Sequence, residues 1–78
     1  MRAESRKLTL SKEDREKLIL EIQEYFIEER EEELGNLAAG FMLDFIINNI
    51  APTFYNQGIR DSMKYMNERV EDLYGLEL

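Results

Sequence analysis

The spacing of apolar residues changes along this chain, and each change marks an element. In "KLTL", Leu8 and Leu10 alternate with Lys7 and Thr9, a short strand pattern. "SKED" then reads as a helix start, with Ser11 as cap and Glu13 and Asp14 at the positive end of the helix dipole. From about residue 12 to 34, Leu18, Ile19, Ile22, Tyr25 and Phe26 recur at three- and four-residue spacing, which predicts an amphipathic first helix. Gly35 fits a left-handed helix end, and Asn36 can cap the next helix at once. So short a joint predicts two roughly antiparallel neighbours.

A second helix, over about 37–50, reads "LAAGFMLDFIINNI" and is apolar in nearly every direction. Such a helix is buried on all sides. A third, over 53–74, carries Ile59, Met63, Met66, Val70 and Leu73 as a heptad-like seam of the kind that packs in bundles, with Gly75 to stop it. Between the two lies "APTFYNQGIRD", Ala51 to Asp61. Pro52 biases Ala51 away from helical dihedrals and suits the first turn of a new helix, so a corner is expected there. Thr53 or Asn56 would cap the third helix, Phe54 and Tyr55 would pack under the joint, and Gly58 would admit another backbone closely.

The expected fold is all-α: one helical domain over 11–78 behind an arm, 1–10, able to pair as a strand. The first helix would be about 35 Å long and the second about 20 Å, so they cannot cover each other. Helix 2 is therefore expected in the shared core of a homodimer, with a monomer that sandwiches helix 2 as the alternative.

Composition narrows the chemistry. At 78 residues the core is marginal, since such a chain buries only roughly 60% of its unfolded surface. There is no cysteine and no histidine, which removes disulfides, thiolate metal sites, the commonest general base and the best nucleophile. No phosphate loop, G-x-S-x-G or S-x-x-K pattern appears. An enzyme is not expected, nor a catalytic group, a cofactor or a metal. No apolar run approaches the ~20 residues of a membrane span, and the first ten residues have no signal-peptide h-region. A reducing cytoplasm suits the lack of cysteine.

Net charge is −7, which repels nucleic acid over most of the surface. Only the arm, with Arg2, Arg6 and Lys7, is basic. A strand followed by helices, with Lys7 and Thr9 outward, resembles ribbon-helix-helix repressors. The long first helix, the third helix and the acidic body depart from that pattern, so DNA binding ranks second to a protein-interaction role.

"EEREEEL" (Glu28–Leu34) places Glu28/Glu32 and Glu29/Glu33 at a spacing that could share a cation on a helix. A solvated helix end explains it more simply. Asp44 stands on a line with Leu37, Phe41 and Asn48. A carboxyl in apolar company must be paired, hydrogen-bonded or held protonated for chemistry. The structural reading makes it a hub at the helix 2–helix 3 corner, bonded to a neighbouring backbone or to the Asn56 amide.

"IQ-x-YF-x-x-E", "E-x-G-x-LAA", "LDF" and "P-x-x-YNQGI-x-D" together resemble a small bacterial family, domain of unknown function 2164, over about residues 8–76. The resemblance implies a bacterial, cytoplasmic origin and carries no activity. It singles out Asp44, Tyr55, Asn56, Gln57 and Asp61 as motif positions, a structural hub or a binding notch.

Overall fold

The computed structural model describes residues 7–78. Among them the fold is all-α, and it is made of two helical rods rather than three helices. Helix α1 spans Lys12–Arg30, and α2 spans Asn36–Phe45. A five-residue π-helical turn, Ile46–Ile50, then leads without a break into α3, Ala51–Tyr74. No strand forms at 7–10, where the alternating segment meets no second strand to bond with. The basic residues Arg2 and Arg6 lie outside the described residues.

Ser11 caps α1, its hydroxyl accepting a hydrogen bond from the Asp14 amide at 3.0 Å. The other end departs from expectation. Helix α1 stops at Arg30, and Glu31, not Gly35, takes the left-handed conformation (φ 54°, ψ 39°). The Glu31 amide donates to the Ile27 carbonyl at 3.2 Å and the Glu32 amide to the Phe26 carbonyl at 3.1 Å. The first is the 5→1 bond of an αL closure, formed here around a glutamate. Three further glutamates at the negative helix end would oppose the dipole, which favours an early stop. Gly35 instead has an ordinary φ of −67° and precedes α2 as its cap. Glu31→Gly should therefore raise stability by about 0.5–1 kcal/mol, since glycine adopts φ > 0 freely and one unfavourable charge is removed. Urea denaturation checks it, with Glu31→Ala gaining less.

The corner expected at Pro52 is absent. Proline lacks the N–H that would return to the Asn48 carbonyl, and its ring would clash with that carbonyl in a regular α-turn. The widened π-turn absorbs the misfit: the Ala51 amide reaches back to Ile46, and Ile50 is distorted to φ −111°. The Asn49 side-chain amide donates to the Phe45 carbonyl at 3.1 Å within the same turn. Helices α2 and α3 thus make one rod of 39 residues.

Helix α1 folds back on α2, and α3 packs on neither of them. Ala39 and Leu43 are the only buried hydrophobic residues, at 0% and 2% exposure, among the described residues. The molecule measures 65 × 30 × 20 Å. Its radius of gyration is 19.0 Å, against about 11–12 Å for a compact chain of this length.

Candidate interaction surface

Two polar clasps hold α1 against α2. The Gln23 amide donates to the Leu34 carbonyl at 2.9 Å and to the Asn36 Oδ1 at 2.8 Å. One side chain thereby pins the loop between the helices. Further along the helix pair, Arg15 Nη2 meets Asp44 Oδ1 at 2.8 Å and lies 3.5 Å from the Gly40 carbonyl. These two contacts set α1 antiparallel to α2.

Asp44 is therefore paired, but across the hairpin and not at a corner. The expected hydrogen bond to Asn56 cannot form, since Asn56 lies about 18 Å further along the same rod at 1.5 Å per residue. Arg15 and Asp44 are 37% and 50% exposed, so water screens the pair and its worth is about 0.5–1 kcal/mol. A double-mutant cycle on Arg15→Ala and Asp44→Ala should show a coupling of that size in urea denaturation. Asp44→Ala and Asn56→Ala should be additive.

The remaining motif residues sit on α3, beyond the reach of α1. Gln57 donates from Nε2 to Asp61 Oδ1 at 3.0 Å and accepts from Arg60 Nη2 at 3.0 Å, a lattice along one exposed helix face. Tyr55 and Asn56 are exposed, as is Phe54, so neither aromatic packs under a joint within the chain. A Cβ at Gly58 would meet nothing within 4 Å, so no backbone among the described residues approaches it. The structure brings Gln57 and Asp61 together and leaves Asp44 apart from them.

Chemical possibilities are few. Among the described residues, no three acidic side chains converge where a cation could be held. Arg30 ends the helix before Glu32 and Glu33, so the expected helical Glu pairs are not formed, and Glu32 bonds Arg30 at 3.2 Å instead. Two shallow, open depressions border the α1–α2 loop. Gln23, Ile27, Glu33, Leu34 and Gly35 line one, and Glu16, Ile19, Leu20, Gln23 and Asn36 line the other. Neither depression offers a nucleophile beside a base.

The dominant surface feature is apolar. Leu37, Phe41 and Phe45 are exposed on the side of α2 away from the buried Ala39–Leu43 face, Phe41 by 64%. On α3 the whole seam of Ile59, Met63, Met66, Val70 and Leu73 is exposed. The 39-residue rod also contains an 18-residue stretch long and apolar enough, by length and composition alone, to cross a membrane. Its apolar part carries Asp44, Asn48 and Asn49, groups that hydrocarbon penalises heavily.

Residues 8–76 match the family described as "Uncharacterized conserved protein (DUF2164)". The chain belongs to that family. The DUF2164 match takes in both clasps, the π-turn and the exposed seam. No curated protein and no solved structure matches the chain.

Gln23 was not singled out by sequence reasoning, although it stands in the "IQ" pair of the family pattern. Its signal was weak, since a glutamine flanked by apolar residues on an amphipathic helix normally faces water. Arg15 carried no signal at all, because only the fold shows that it reaches Asp44.

Proposed function

We propose that this chain is a non-enzymatic protein-interaction module of a bacterial cytoplasm, and that its folded unit is a homodimer with α2 in the shared core. The observation that carries the reading is the small core: among the described residues Ala39 and Leu43 alone are buried, while the apolar faces of α2 and α3 stand in water. Exposed apolar area of this extent marks an interface. The chain exposes 7171 Å², whereas a compact 9.3 kDa protein exposes about 5,000 Å². The surplus, roughly 2,000 Å² per protomer, would bury about 4,000 Å² in a pair, within the obligate-dimer range.

The test is the concentration dependence of unfolding. A dimer that unfolds to monomers has a midpoint that rises with protein concentration. A midpoint unchanged over a hundredfold range of concentration would contradict the reading, as would flotation of the chain with neutral lipid vesicles.

A second reading, a ribbon-helix-helix-like DNA-binding regulator, draws on the extended segment before α1. There Lys7 and Thr9 are exposed and Leu8 is half-buried, although Leu10, which the pattern would turn inward, is exposed too. If the arm binds DNA, affinity should fall steeply between low and physiological salt through counterion release. No sequence-specific binding is expected at physiological salt. A defined operator held at nanomolar affinity there would reverse the ranking.

A further inference from the structure

Two unmatched apolar faces lie on one continuous rod. Leu37, Phe41 and Phe45, four residues apart, line the outer side of α2. Ile59, Met63, Met66, Val70 and Leu73 line one side of α3. The α2 face lies on one side of the Tyr55–Asn56 bond and the α3 seam on the other. Counted from that bond, Phe41 is as far out as Val70, and Phe45 as far out as Met66.

We propose that the rod pairs antiparallel with the rod of a second copy about a two-fold axis at Tyr55–Asn56, so that each α3 seam packs on the partner's α2 face and "YNQG" forms the crossing. The proposal rests on the homodimer reading above and specifies its geometry. A two-fold interface must be self-complementary, with residue i on j and j on i. The equal offsets of the two faces meet that condition. A parallel pairing confined to the α3 segments would cover the seam yet leave Leu37, Phe41 and Phe45 in water. An antiparallel pairing centred on Met66 has the same defect. The crossing at Tyr55–Asn56 covers both faces at once, and it lets two hairpins and two rods make one bundle of the four-helix kind.

The crossing also gives the exposed motif residues a place. Tyr55 would lie against Asn56 of the second copy, and the adaptable side chain of Met66 would fit around the ring of Phe45, with Val70 against Phe41. The surplus surface of each protomer is enough for an interface of this length.

Because the chain has no cysteine, single introduced thiols report the register directly. Leu37→Cys and Leu73→Cys proteins would be mixed in denaturant, refolded together and treated with a bismaleimide spanning about 8–10 Å, the spacing of packed helices. The mixture should give a covalent dimer, while each variant alone should give none. Asn56→Cys alone should link to itself. Self-linking of Leu73→Cys alone would overturn the antiparallel register and leave the homodimer reading standing. Absence of links in every sample, with an unfolding midpoint that still depends on concentration, would do the same. Absence of links with a concentration-independent midpoint would remove both.

Discussion

Replacing Met66 with glutamate will strip the chain of at least about 3 kcal/mol of stability, the worth of a buried methionine plus the cost of an unpaired charge in an apolar interface. Nothing in a single protomer leads to that expectation. Met66 is exposed on α3, and α3 packs on neither α1 nor α2. In an isolated chain the change would fall within about 0.5 kcal/mol of neutral, as surface substitutions do. The two accounts thus differ by several kcal/mol at one residue. Met66→Leu, which conserves volume and polarity, should cost less than about 1.5 kcal/mol. Urea denaturation of the three proteins at equal concentration decides the matter, and a Met66→Glu midpoint equal to that of the parent would place the seam in water.

The second large effect is expected at Leu43. It lies on the α2 face that meets α1 and is 2% exposed. Leu43→Ala removes buried methyl groups and leaves a void beside Ala39, at a cost of about 2–5 kcal/mol. For a chain of this size each kcal/mol lowers Tm by roughly 4–8 °C, so thermal unfolding should show it plainly. A loss below about 1 kcal/mol would mean that α1 and α2 are not held together by this face.

The helical content was legible in the sequence because it rests on local signals. Ser11, Glu13 and Asp14 announced the start of α1, and the three- and four-residue spacing of Leu18, Ile19, Ile22 and Phe26 announced its half-buried face, whereas Tyr25, expected on the same stripe, is exposed. The ends were harder to read. Glycine is the usual left-handed residue, so Gly35 drew the helix end to itself, whereas the closure occurs at Glu31. There the acidic run shortens the helix, a collective electrostatic effect that no single residue displays.

Pro52 misled for a related reason. A proline normally ends a helix, and the sequence around it reads as a corner. The alternative, a π-turn that accommodates the ring and lets the rod continue, depends on backbone adjustment over Ile46–Ile50 that no composition signals. With the corner went the expected meeting of Asp44 and Asn56. The true partner of Asp44 is Arg15, and long-range ion pairs of that kind appear only when two helices are laid side by side. The apolar character of α2 was plain from Leu37, Phe41 and Phe45. What would cover them was not, since no residue of α2 names a partner.

In the proposed homodimer, one chain does not complete its own core. Sedimentation equilibrium at micromolar concentration tests that claim most directly. Twice the chain mass of 9.3 kDa is the expected result. A folded species that keeps the single-chain mass as concentration rises to the millimolar range would contradict it.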